Sequence, residues 1–213
     1  MTTKKPITEK PTAKKPITEK SSKNPKEKFH VKVENVVSFV VLGVDIALDK
    51  LVAAIENAEY EPEQFPGLVL RTKEPRAAAL IFSSGKIVCT GAKSIELSKV
   101  AIKQVVAKIK SAKIKVPTKY HVQVENIVAS SKIKAKLNLE DITFQLENAE
   151  YEPEQFPGLV FRIPEPRVAF LLFTSGKIIC TGAQNIDDIY TALGKLKKKL
   201  EEIGIKVKPV PND

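Results

Sequence analysis

Two asparagines, two threonines and four phenylalanines of this 213-residue chain recur at one spacing. Asn35, Thr90, Phe65 and Phe82 reappear 91 residues later as Asn126, Thr181, Phe156 and Phe173. Carboxamides and hydroxyls donate and accept hydrogen bonds, but neither attacks a substrate without a neighbouring base. Phenyl rings offer apolar faces for stacking or insertion. The set suits recognition, not bond making.

Other residues that could do chemistry stand in poor surroundings for it. Glu61 with Glu63, and Glu152 with Glu154, are spaced like paired acids. They lie in proline-bracketed loops without the histidine or apolar pocket that tunes a general acid. His30 and His121 have no cysteine or carboxylate at metal-ligand spacing. Cys89 and Cys180 sit inside apolar runs, as buried small hydrophobes do, and fit a reducing compartment. Thr90-Gly91-Ala92-Lys93 ends a strand and is not a phosphate loop. No enzyme chemistry, cofactor or metal is expected.

The elements that must position the eight recurring residues are themselves written twice. Glu56 through Val69 recurs as Glu147 through Val160, and Ser84-Gly85-Lys86-Ile87 recurs as Ser175-Gly176-Lys177-Ile178. A shift of 91 is too long for a solenoid repeat of about 20 to 50 residues. It is a small α/β unit, duplicated and fused. Within the first copy, Val31, Val33, Asn35 and Val37 alternate with Lys32, Glu34, Val36 and Ser38, which is strand spacing. The pattern then predicts a helix over 47–57, strands over 67–71, 77–82 and 86–91, and an amphipathic helix over 95–110. The second copy repeats this order and ends in a helix over 188–203. The repeats are expected over 29–116 and 117–208, flanked by tails at 1–28 and 209–213. Two copies give an α+β, pseudo-twofold molecule in which a long antiparallel sheet leaves its helices to one face.

Strand parity sorts the side chains. A hairpin centred between Lys73 and Glu74 would set Phe65 opposite Phe82 and Arg71 opposite Arg76, all on one face. Leu68, Leu70, Ile81, Ile87 and Cys89 then form the core under the helices. The other face carries Val37, Val69, Leu80, Val88, Phe65 and Phe82 with Asn35 and Thr90. The second repeat doubles it with Val128, Val160, Leu171, Ile179, Phe156 and Phe173 beside Asn126 and Thr181. No layer remains to cover this face, and a broad bare apolar face signals a partner. Its rim is basic: Arg71, Arg76, Lys86, Lys93, Arg162, Arg167 and Lys177.

The formal charge of +10 needs dividing before it is used. Residues 1–28 hold nine lysines and three glutamates, so +6 lies there and +4 in the other 185 residues. Their repeated Lys-Lys-Pro-Ile-Thr-Glu-Lys is low-complexity sequence with little to bury, expected to be disordered as a solubilising tail or a DNA-grabbing arm. No apolar run reaches the about 18 residues of a membrane span, and no secretory leader follows Met1. An apolar floor with cationic edges and few polar groups suits the minor groove of A·T-rich DNA, whose base edges are acceptors only. The alternative is a protein-interaction module that uses the same face.

At this point the residues carry a resemblance. Asn-Ala-Glu-Tyr-Glu-Pro-Glu-Gln-Phe-Pro-Gly-Leu-Val, Glu-Pro-Arg, Leu-Ile-Phe-Ser-Ser-Gly-Lys and Cys-Thr-Gly-Ala-Lys, duplicated, resemble the TATA-box-binding protein family over about residues 29–205. The paired Phe-Pro-Gly-Leu segments and similar repeats look archaeal. The resemblance implies a ten-stranded saddle with four helices on its convex face and duplex DNA, a TATA element, beneath. It implies DNA-intercalating wedges at Phe65 with Phe82 and at Phe156 with Phe173. Base contacts are implied for Asn35, Asn126, Thr90, Thr181, Val37, Val128, Val88, Ile179, Leu80 and Leu171, and phosphate contacts for the seven basic residues of the rim. Glu152, Glu154 and Gln155 are implied to receive transcription factor B, with RNA polymerase beyond it. A monomer is implied on DNA, with free molecules able to pair through their hollows. The setting implied is the archaeal cytoplasm, or the nucleus in a eukaryote. Two departures stand out: Gln184 replaces the lysine expected opposite Lys93, and Cys89 and Cys180 occupy positions where the family often has Val or Ile.

Overall fold

The computed structural model describes residues 29–212, so the reading of 1–28 lies outside the described residues. The first repeat runs β1 (Lys32–Val41), α1 (Leu48–Ala54), β2 (Ala58–Glu59), β3 (Gly67–Thr72), β4 (Ala77–Phe82), β5 (Lys86–Ala92) and α2 (Ile95–Ser111). The second runs β6 (Gln123–Ile133), α3 (Leu139–Gln145), β7 (Ala149–Glu150), β8 (Leu159–Ile163), β9 (Val168–Leu172), β10 (Lys177–Ala183) and α4 (Ile186–Glu202). All join one antiparallel sheet in the order β2-β3-β4-β5-β1-β6-β10-β9-β8-β7. The two long strands, β1 and β6, pair at its centre, and the fold is the open, duplicated saddle expected.

Period-2 alternation builds the two faces. Leu68, Leu70, Ile81, Ile87 and Cys89 are all fully buried, as are Ile102, Val105 and Ile109 of α2 above them. The second core gathers Leu159, Phe170, Leu172 and Ile178 under Ile189, Leu193, Leu196 and Leu200 of α4. Ser94 caps α2 by accepting the Leu97 N–H. Asn185 caps α4 by accepting the Asp188 N–H, which starts that helix at Ile186 instead of the expected 188. The two cores are laced together. Phe29, ahead of β1, packs in the core of the second repeat, whereas its counterpart Tyr120 packs against that of the first.

Four expectations are corrected. Helix α1 stops at Ala54, not 57, because Ile55 is already extended and Asn57 turns the chain at φ 60. Asparagine tolerates that left-handed conformation. The chain is thereby returned as β2 against Leu70 and Val69. The β3–β4 hairpin pairs Val69 with Leu80 and Arg71 with Ala78, so its centre lies one residue later than expected. Phe65 precedes β3, and Phe82 stands opposite Gly67. The register moves by two residues, so every side chain keeps its face. In β1, pairing advances from Val33 to Asn35 while its partner moves only from Ala129 to Val128. Glu34 is the extra residue of a bulge, and Val33 joins the core side while Asn35 and Val37 face the hollow. Finally, the described part of the expected C-terminal tail, residues 209–212, is tied to the sheet. Pro209–Val210 form an eleventh strand, β11, against Ile133 and Lys132, and Asn212 Nδ2 donates to the carbonyls of His30 and Ser130.

Candidate nucleic-acid interface

The face opposite the helices is bare. Val37, Val69, Leu80, Phe82 and Val88 of the first repeat, with Val128, Val160, Leu171, Phe173 and Ile179 of the second, are only partly buried, although each lies on an interior strand or, for Phe173, just past the end of one. No described residue packs over them as a second layer.

At each end a phenylalanine pair rises from this floor. Phe65 and Phe82 stack edge to face, with centroids 5.9 Å apart at 65°. Phe156 and Phe173 repeat this at 6.0 Å and 66°. Phe65 and Phe156 are 37% and 39% exposed, which is high for rings on a strand's shoulder. Glycine makes the arrangement possible. A Cβ on Gly67 would lie 2.7 Å from Phe65 Cε1, and one on Gly158 would lie 2.6 Å from Phe156 Cε1. Real Cβ atoms do not approach so closely, so each Phe-Pro-Gly is a ring laid on a bare backbone. The turn before it is hydrogen-bonded: Gln155 N and Phe156 N both donate to the Glu152 carbonyl, at 3.0 and 2.9 Å. Glu152, Glu154 and Gln155 stand exposed on that turn, with Gln155 Nε2 donating to the Glu152 carboxylate at 2.6 Å.

At the centre lie the asparagines and threonines. Ladder pairing of β5 steps from Cys89 to Ala92 while β1 steps from Ser38 to Val36, so Thr90-Gly91 bulge out. Gly91, at φ 98, turns its N–H to Asn35 Oδ1 at 2.7 Å. Gly182, at φ 103, does the same to Asn126 Oδ1 at 2.7 Å. The carboxamide oxygen is thereby occupied, and the nitrogen end is fixed. Each Nδ2 donates one hydrogen to the neighbouring threonine Oγ1, at 3.1 Å in both repeats. Its second hydrogen remains to be offered, whereas the Thr90 and Thr181 hydroxyls donate back to Asn35 Oδ1 and Asn126 Oδ1 at 3.4 and 3.3 Å. The two carboxamide nitrogens of the floor thus each keep one hydrogen to donate outward.

The cations frame the hollow. Arg71, Arg76 and Lys93 border one groove with Asn35 and Thr90. Arg162 and Arg167 border its counterpart with Thr181 and Gly182. Lys86 Nζ lies 5.1 Å from the Phe39 ring centroid, and Lys177 pairs with Lys132 across the sheet. Arg162 reaches the Glu150 carboxylate at 3.7 Å, with both side chains exposed. Sequence reasoning missed Phe39, which faces the hollow opposite Val88. Alternation from Val37 could have found it, but its counterpart is Ser130, so the repeat gave no second signal. The glycines under the rings and beside the asparagines were missed too, because their role is visible only in what a Cβ or a backbone N–H would meet. The other expected residues of the floor and rim are brought to one face, while Glu152, Glu154 and Gln155 stand on the exposed turn beside it. Among the described residues no cluster of His, Cys, Asp or Glu could hold a metal ion, and no helix is long and apolar enough to cross a membrane.

Comparison with known proteins gives the same frame. The family model described as transcription factor TFIID, or TATA-binding protein, matches residues 30–112 and again 121–203. The TATA-box-binding protein of Methanosphaera stadtmanae is 50% identical over 173 residues, spanning 81% of this chain and 94% of that protein. That of Methanothermobacter thermautotrophicus is 49% identical over 175 residues, spanning 82% and 97%. The solved structure of Methanococcus jannaschii TBP superposes with a TM-score of 0.76 at 45% identity, over 81% of this chain and 98% of that one. Both halves of the saddle are matched separately and in order, and the relatives are spanned almost end to end: the chain belongs to the TATA-binding protein family, in its archaeal type.

Proposed function

We propose that the protein is a general transcription initiation factor that binds the minor groove of an A·T-rich promoter element through its bare face. The observation that carries this is the polarity of the floor. Asn35 and Asn126 have their oxygens tied to Gly91 and Gly182, so the floor offers donors. The A·T minor groove offers only acceptors, adenine N3 and thymine O2. A G·C pair would press the guanine amino group against Val37, Val128, Val88, Ile179, Leu80 or Leu171, which have nothing to accept it. Leaving that donor buried costs about 1–3 kcal/mol per pair.

The phenylalanine pairs act as wedges between base steps. For minor-groove wedge proteins, of which this family is a standard example, unstacking costs about a few kcal/mol per step. Phe65 and Phe156 are already largely packed, at 37% and 39% exposure, and burying the remainder returns only about 1 kcal/mol each. The wedges therefore do not offset their own kinks. Burial of the aliphatic floor and the phosphate contacts of Arg71, Arg76, Lys86, Lys93, Arg162, Arg167 and Lys177 supply the balance. The rings contribute shape: they are held in place before the duplex arrives, so no side-chain entropy is lost at binding.

The exposed turn of Glu152, Glu154 and Gln155 lies beside the second wedge and outside the hollow. It remains accessible once DNA is bound, and it is the surface we assign to transcription factor B, which brings RNA polymerase. The wedge mechanism is tested by fluorescence transfer across a TATA duplex labelled at both ends. Wild type should shorten the end-to-end distance, and Phe156→Ala/Phe173→Ala should bend distinctly less. Full bending by that variant would show the rings to be packing groups only.

A further inference from the structure

The two halves of the saddle differ in charge where the central strands bulge. Glu34 is the extra residue of β1, and its counterpart Glu125 is the extra residue of β6. Three groups hold Glu34: Lys32 at 3.8 Å, Lys93 at 3.6 Å and the Ser130 hydroxyl, which donates at 2.7 Å. The Ser130 hydrogen bond foremost, with help from the two lysines, keeps this carboxyl below the usual range. A shift of 91 turns these three into Gln123, Gln184 and Phe39. Glu125 thus has a carboxylate at the matching place with neither lysine beside it.

Sheet register extends the difference along a whole edge. The start of β1, the ends of β5 and β6 and the start of β10 lie at the same edge of the saddle, since Lys32 pairs with Ser130 and Lys132 with Lys177. That edge carries Arg71, Arg76 and Lys177, whose counterparts across the pseudo-twofold are Arg162, Arg167 and Lys86. It also carries Lys32, Lys93 and Lys132, whose counterparts are Gln123, Gln184 and Val41. Three basic groups are therefore matched and three are not, while both edges keep their glutamate. The Lys32 and Lys93 side chains are 59% and 64% exposed, so a phosphate can reach both, Lys93 giving up in exchange its 2.6 Å bond to the Glu34 carbonyl.

We propose that this protein grips the two strands of its duplex unequally, with the edge holding Lys32, Lys93 and Lys132 as the main phosphate track. This rests on the DNA-binding reading above. Each edge of a saddle lying along the minor groove follows one strand, so a six-to-three division of cations is a division between strands. Both lysines exchange Glu34 for phosphate on binding, and the Ser130 hydroxyl continues to hold the carboxylate. Glu125 has no such partner, so the strand beside it meets an uncompensated negative charge.

The test uses a self-complementary A·T box, so that base sequence selects no orientation, with the phosphates of one strand replaced by uncharged methylphosphonates. Binding is measured against salt. Each phosphate neutralised contributes about 0.9 to the log–log slope. The protein should turn its weaker edge to the uncharged strand and lose about a third of its slope. Lys32→Gln/Lys93→Gln removes the excess from one edge, and Gln123→Lys/Gln184→Lys adds it to the other. Either should move the one-strand loss to nearly half. All four positions are exposed or half-exposed at strand ends, so the fold is not at risk. A loss near half for wild type, unchanged in both variants, would overturn the proposal. Absence of salt-dependent binding to the unmodified box would overturn the DNA-binding reading itself, a distinct result.

Discussion

The side-chain oxygen of Asn126 lies 2.7 Å from the backbone nitrogen of Gly182 and accepts its N–H. This contact decides which end of the carboxamide faces out. A glycine at φ 103 in a bulge is needed to aim that N–H away from the sheet ladder. The same device holds Asn35 through Gly91.

The order of two substitutions follows. Asn126→Ala loses one donor and should weaken binding to a TATA duplex about tenfold, the worth of roughly one buried hydrogen bond. Asn126→Asp keeps the Gly182 contact but points a carboxylate at acceptor-only base edges, so it should bind more weakly than the alanine variant. Fluorescence anisotropy at one fixed salt concentration ranks them, and aspartate binding as well as asparagine would remove the donor argument.

Gly158→Ala tests the seat of the wedge. Its Cβ would meet the Phe156 ring at 2.6 Å and the Phe173 ring at 3.1 Å, and Phe156 is exposed enough to swing away. We expect reduced bending in the fluorescence-transfer assay with a melting temperature within a few degrees of wild type, because the displaced ring is not core. Unaltered bending would mean the rings need no prior placement.

The two cysteines give a chemical check on the core. Burial raises the Cys89 thiol and pushes Cys180 up to about 12 from an ordinary value of 9.0. Neither should react with a thiol reagent at neutral pH until the protein unfolds. The unfolded chain ionises its thiols first as pH rises, so stability from this source is intact below about 9 and declines toward about 12. Rapid labelling of the native protein at pH 7 would place these side chains at the surface.

Much of this was legible from alternation alone. Parity put Leu68, Leu70, Ile81, Ile87 and Cys89 in the core and Val69, Leu80 and Val88 in the hollow, and an error of one residue in the centre of the turn did not disturb it. A two-residue register shift is invisible to faces. A bulge is not: Glu34 flips Val33 relative to Asn35, and one extra residue leaves no compositional mark. Duplication made the asparagine, threonine and phenylalanine sets stand out because each appears twice. It hid what appears once: Phe39, the Lys32–Glu34–Lys93 group, and β11. The exchange of Phe29 and Tyr120 between cores depends on contacts far apart in sequence, and each looks locally like an ordinary aromatic before a strand.

The central claim is that a donor-bearing apolar hollow selects A·T minor groove. It is tested most directly by competition between a TATA duplex and one with its central pairs changed to G·C, at equal length and salt. The account predicts that each central G·C pair weakens binding by about five- to 150-fold, the range of about 1–3 kcal/mol for a buried unpaired amino group. Equal binding to both duplexes would contradict it.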